Sequence, residues 1–282
     1  MTDTLDLAPA RSAAPASRPR FVDLLRSEWI KLWSLPAALL CLLALAAIGF
    51  GGPLFLGLTL ESSQPPSTAS IARTMGEVTM PLVVLGQILA GILGVLCISS
   101  EYASGTIAST LLAAPTRLRS LLAKAVLLFG VVTVVALVTV VAAWAVTYPM
   151  YAPFGLEAPL TAHGVVGSLV GTGVYLGLCS VFGLGLGAVL RSTAAGSFVV
   201  FFAMLLGPIL SSMLPYNVAS RVIRLLLIGN AGDAMSRVDI PGAPFLDLMG
   251  GHISPAAGYL LVGGWTLLAL VCGAAALLRR DA

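Results

Sequence analysis

Six long apolar runs dominate this chain, and its charged residues sit between the runs or at the ends. There are 15 Lys+Arg and 12 Asp+Glu in 282 residues. A charge near the centre of a membrane helix costs about 2.5–3.5 kcal/mol on insertion scales. Runs that avoid this cost read as membrane spans, so the pattern predicts an all-α polytopic membrane protein with six transmembrane helices. It also predicts an interior with no buried carboxylate to carry a proton and no buried lysine to attack a substrate. Composition agrees: 58% of residues are hydrophobic, 10% are charged and the mean hydropathy is +1.01. A soluble domain is nearer about 45–50% apolar and about 25% charged.

The spans fall at about 36–58, 80–98, 122–147, 164–190, 195–214 and 256–278. Each is near or above the ~20 residues that cross a ~30 Å hydrocarbon core. Spans four and five are separated only by Arg191–Ala194, a tight hairpin. Residues 1–20 are rich in Ala, Pro, Ser and Arg and read as a disordered cytoplasmic tail. They hold no apolar core of a signal peptide, so the first span is expected to act as an uncleaved anchor. Residues 21–282 form a single membrane domain.

Orientation follows from the basic residues of the loops. With the N-terminus inside, the cytoplasmic set is Arg11, Arg18, Arg20, Arg26, Lys31, Arg117, Arg119, Lys124, Arg191, Arg279 and Arg280. The outer set is Arg73, Arg221, Arg224 and Arg237. Eleven against four places both termini in the cytoplasm. Cys41, Cys97, Cys179 and Cys272 each stand alone in an apolar run, which suits buried thiols used as small hydrophobes.

Small residues mark helix contacts. Span four holds Gly167-x-x-x-Gly171, Gly173-x-x-x-Gly177 and Gly183-x-x-x-Gly187, and span two holds Gly86-x-x-x-Ala90-x-x-x-Gly94. This spacing lets backbones approach closely, either within one bundle or at a dimer interface or moving gate. Pro208 removes a backbone donor from span five and predicts a kink. Gln87 is the notable polar side chain of span two. It either bonds a partner helix or, with Pro208, lines a substrate path.

Two segments outside the apolar runs carry more detail. Phe21–Ser34 places Phe21, Val22, Leu25, Trp29, Leu32 and Trp33 on one side of a helix, with Asp23, Arg26, Ser27, Lys31 and Ser34 on the other. Trp29 and Trp33 with Lys31 suit a helix lying in the membrane interface, as an anchor for span one or with a mechanical role. The second segment is the loop after span two, Ser99 to Lys124. Glu101 closes the span, Gly105 permits a sharp turn, and Thr106–Ala114 forms a short helix that Pro115 stops. Thr116 caps the next helix, and Arg117, Arg119 and Lys124 are expected at the lipid headgroups. The result is a short helix held crosswise between two spans.

Here the sequence resembles the permease subunits of type-two ABC exporters. The pattern Glu101-Tyr102-x-x-Gly105-Thr106-Ile107, then Pro115-x-Arg117, then Ala123-Lys124 entering a span, is similar to theirs. So is Ser27-Glu-Trp-Ile-Lys31-Leu-Trp-Ser34 before span one, together with six spans and both termini inside. The resemblance implies that the loop is a coupling helix docking on a separate ATPase subunit. That role falls on Glu101, Tyr102, Gly105, Thr106 and Ile107, with Arg117 and Arg119 flanking. It also implies short external helices between spans five and six, where Val218–Ile228 reads as interfacial or re-entrant. Arg221, Arg224 and Arg237 there meet either an anionic lipid or substrate headgroup, or snorkel to phosphates.

The sequence excludes several chemistries. Its two lysines, Lys31 and Lys124, follow no glycine, so no GxxxxGK[ST] phosphate loop exists. His163 and His252 are solitary, with no metal-ligand spacing. The expectation is a non-enzymatic transport subunit without a cofactor of its own, with ATP bound by a partner. Other expected partners are a second permease copy or a related permease and the bilayer, with no nucleic acid. Two further classes stay open: a non-transporting scaffold or sensor subunit, and an ion-coupled carrier, which the missing intramembrane charges disfavour. An apolar interior suits hydrophobic or amphipathic cargo such as a drug, antibiotic, lipid or peptide.

Overall fold

The computed structural model describes residues 20–59, 68–103, 117–215, 217–238, 242, 244–247 and 252–280. The proposed crosswise helix and its residues Gly105, Thr106 and Ile107 lie outside these, as do Thr116 and residues 1–19. Among the described residues, six helices are long and apolar enough to cross a membrane: Pro36–Leu58, Ile71–Tyr102, Leu118–Phe154, Val165–Leu190, Thr193–Ser212 and Pro255–Arg279. The chain is therefore all-α in character. A two-residue antiparallel bridge, Leu246–Asp247 with His252–Ile253, is its β-structure among the described residues.

The N-terminal helix runs Phe21–Ser34, opened by Asp23, whose carboxylate accepts the Arg20 N–H at 3.0 Å. Leu35 is extended (φ −90°, ψ 106°), because it precedes a proline, and Pro36 starts span one at its first turn. This one-residue joint changes the chain's direction.

Spans two and three exceed the lengths expected from hydropathy. Span two is helical from Thr68 to Ala103, and span three from Arg117 to Tyr151. Apolar runs mark where lipid fits, whereas a helix continues as long as its hydrogen bonds do. The extra turns of span two carry Arg73 and Glu77, paired at 3.0 Å, and Glu77 accepts the Tyr151 hydroxyl at 3.0 Å. The nearby loop is tied down by Thr74, which donates to Leu156 O at 2.9 Å.

The core is built around span four. Its most apolar stretch is 72% buried and that of span two is 67% buried, against 22% for spans one and five and 28% for span six. Glycine makes this centre dense. A Cβ on Gly183 would collide with Gly91 O, and one on Gly94 with Ser180 O, so spans two and four meet backbone to backbone. Of the six span-four glycines at four-residue spacing, only Gly167 faces open space. The spacing is thus used mainly inside this chain.

Spans four and five are joined by Arg191 and Ser192, with Ser192 capping span five through Ala195 N. After span five, Val218–Leu226 and Ile228–Met235 form two short helices, broken at the extended Leu227. Asn217 caps the first by accepting Ser220 N–H at 2.8 Å. The second is buried: Gly229 abuts Met204 O, Gly232 abuts the Tyr175 ring, and Met235 O lies against Gly171. The segment expected as a helix over Val218–Ile228 ends at Leu226, and the helix after it packs among the spans. Cys97 and Cys179 are buried as expected, but Cys41 is only partly buried and Cys272 is exposed on the outside of span six.

Candidate functional site

The expectation of an interior without charge is overturned at one end of the bundle. Glu28 is 4% exposed and Lys124 5%. Lys124 was expected among headgroups, yet the N-terminal helix lies over it. Its ammonium bonds Glu28 at 2.6 Å, Glu101 at 2.9 Å and the Cys97 carbonyl at 3.2 Å. Lys31 bonds Glu28 at 2.9 Å and Glu101 at 3.0 Å. Both lysines of the chain thus converge on two carboxylates, and the four charges cancel.

The cluster explains how the N-terminal helix sits. Leu24, Leu25, Glu28, Lys31 and Leu32 face the bundle, while Val22, Trp29, Ile30 and Trp33 stay exposed. Trp29 and Trp33 meet edge to face at 5.5 Å. The buried face is thus not the apolar face of the helical wheel but one displaced from it, drawn in by charge pairing. Burial disfavours the Lys31 ammonium, but hydrogen bonds and attraction from Glu28 and Glu101 outweigh it and hold its pKa above the ordinary lysine value. Beside the cluster is a cavity of about 340 Å³, with Leu32, Leu35, Leu127 and Leu128 on its apolar wall.

Of the residues singled out in the sequence, Lys31 and Glu101 meet here, and Tyr102 is adjacent. Arg119 is exposed and Arg117 begins the helix of span three. Glu28 and Lys124 were not singled out as site residues. The one signal was that a chain with two lysines places both beside the ends of apolar runs.

Tyr102 makes a second junction. The Arg191 guanidinium lies 5.1 Å from the centre of its ring, and Ser99 shares a hydrogen bond with Thr193 at 2.7 Å. The last turn of span two therefore touches the N-terminal helix and span three on one side and the four–five hairpin on the other.

Gln87 and Pro208 come together deeper in the bundle. Gln87 is 4% exposed and donates to Met204 O at 3.1 Å and to Val84 O at 3.2 Å, while its carbonyl accepts the Tyr175 hydroxyl. Residue 208 is where an α-helix would supply the N–H for Met204 O, and proline has none. A π-helical turn stands just before each partner, Leu82–Gly86 in span two and Phe202–Leu206 in span five.

The outer-set arginines have protein partners. Arg224 donates to Ser211 O at 2.8 Å, Ser212 O at 3.2 Å and Leu214 O at 2.8 Å, closing the C-terminal end of span five. Arg237 pairs with Asp233. Neither needs a headgroup to account for its place. Comparison of the chain with protein-family models and with curated proteins finds no match.

Proposed function

We propose that this chain is the permease subunit of an ATP-driven exporter of the type-two ABC kind, set in the plasma membrane with both termini cytoplasmic. It moves a hydrophobic or amphipathic substrate outward, pairs with a second copy or a related permease, and takes its energy from a separate ATPase subunit. One observation carries the reading beyond resemblance. Glu101, at the end of span two, is joined by ion pairs to the N-terminal helix through Lys31 and to span three through Lys124. Residues 104–116 connect these same two spans, so a load applied there meets three elements clamped together. A clamp of this sort suits an external motor, because packed elements switch between discrete arrangements instead of deforming.

Affinity purification of the tagged chain in mild detergent is expected to recover a subunit with a phosphate loop. In proteoliposomes, Gly105→Pro is expected to leave insertion intact while substrate export falls. Failure to recover any such ATPase would replace this reading with the scaffold or sensor alternative. Undiminished export by Gly105→Pro would move the coupling site elsewhere.

A further inference from the structure

Arg191 is the only non-glycine residue with positive φ among the described residues, at φ 50° and ψ 20°. Side chains with a Cβ rarely adopt this left-handed conformation, and glycine is the usual residue just after a helix. The chain has 30 glycines, six of them at four-residue spacing in the preceding helix, yet arginine stands here. Its N–H closes span four on Gly187 O at 2.9 Å, a bond glycine would make as well. What glycine would not supply is the guanidinium over Tyr102. An unfavourable backbone held in place by its surroundings points to what its side chain does.

A second contact runs parallel to the first. Ser99 and Tyr102 are three residues apart, so they share a face of span two. Arg191 begins the two-residue link and Thr193 directly follows it. Two contacts of different chemistry, a cation over a ring and a hydroxyl pair, therefore join the same two elements. Glu101 lies between them and turns to the other side, toward Lys31 and Lys124.

We infer that Arg191 is a positioning residue that clamps the four–five hairpin to the end of span two, so that the two move as one body. On the coupling role proposed above, Glu101–Tyr102 then has two outputs. Glu101 drives the N-terminal helix and span three, and Tyr102 drives spans four and five. Span four is the core helix and span five is largely exposed, so this second output reaches both the centre and the periphery of the bundle.

The test has one arm that needs no ATPase. Spin labels at Ser100→Cys and Ala194→Cys, in a background with the native cysteines replaced, report the separation of the two elements in lipid nanodiscs. A single narrow distance distribution is expected. Arg191→Gly, which suits the left-handed backbone and so preserves the fold, is expected to broaden it. Arg191→Lys and Tyr102→Phe keep a cation and a ring and are expected to leave it narrow, whereas Tyr102→Leu broadens it like Arg191→Gly. An unchanged distribution in both Arg191→Gly and Tyr102→Leu overturns the clamp. The second arm uses proteoliposomes with the partner ATPase. Loss of one coupling contact is expected to raise the ATP hydrolysed per substrate exported by at least about fivefold in Arg191→Gly, but not in Arg191→Lys. A normal ratio in Arg191→Gly overturns the second output. If no ATPase partner is recovered at all, the exporter reading fails, and the distance arm still decides the clamp.

Discussion

Met204 O is a buried carbonyl whose helical donor has been deleted by Pro208, and Gln87 supplies the replacement from another span. A buried acceptor left without a donor costs about 1–3 kcal/mol, more than the net value of an ordinary hydrogen bond. Gln87→Leu is therefore expected to destabilise the chain by about 1–3 kcal/mol, read as a lower unfolding temperature in detergent. Pro208→Ala restores an N–H to span five, so the double variant is expected to unfold closer to wild type than the two separate shifts predict. Additive shifts would mean that the proline and the glutamine are independent. Sequence alone singled out Gln87 as polar in an apolar run and Pro208 as a missing donor. It gave no sign that one answers the other, because the pairing depends on two π-helical turns that shift the register of both spans.

The N-terminal helix buries charge as well as apolar side chains, Glu28 beside Leu32. Lys124 has its three N–H groups directed at Glu28, Glu101 and Cys97 O. Removing one partner of a buried pair strands the other and typically costs about 3–5 kcal/mol. Lys124→Met is expected to lose about that much and to expose the Phe21–Ser34 helix to protease. Glu28→Gln combined with Lys124→Met is expected to be milder than Lys124→Met alone, because one stranded carboxylate has been neutralised. Equal protease resistance in Lys124→Met and wild type would show that apolar packing suffices. The sequence pattern puts Lys31 on the polar side of an interfacial helix and Lys124 at the headgroups. A lysine near a span end has two ways to satisfy its charge, and only tertiary contact decides between them. Glycine was more legible. The spacing in span four anticipated close helix contact, and Gly183→Ala is expected to cost about 1–3 kcal/mol by overpacking. Gly167→Ala, with nothing within 4 Å of its added Cβ, is expected to be close to neutral. Comparable losses of unfolding temperature at the two sites would show that the contact with Gly91 does not set the cost at Gly183, since helix propensity alone favours alanine at both.

At the scale of the molecule, contacts between span ends set the parity of the crossings, independently of hydropathy. Lys31, before span one, reaches Glu101, at the end of span two, at 3.0 Å. Arg191, after span four, lies over Tyr102. At the other end, Glu77 near the start of span two meets Tyr151 near the end of span three. These three contacts agree with an out-and-back path in which each pair of spans returns the chain to the same end. Hydropathy therefore found the number of spans, and the side-chain contacts support their alternation without using it. Which end faces the cytoplasm rests on the basic-residue bias, eleven to four. The charge cluster changes which of those charges can carry the bias. The two lysines that contribute to the count are neutralised by Glu28 and Glu101, so the orienting charge left over belongs to arginines, among them Arg26 and Arg119, both exposed. The expectation is that Arg26→Gln with Arg119→Gln weakens the orientation more than neutralising the lysine–glutamate cluster as a whole does. Reporter fusions at residues 20 and 280 should read on the same side in the wild-type chain, with one at residue 160 on the opposite side. The arginine pair should give a mixed population at residue 20, and the neutralised cluster should give lower yield of a single orientation. A single orientation in the arginine pair, or a mixed one in the neutralised cluster, would show that the paired lysines orient the chain before they are buried.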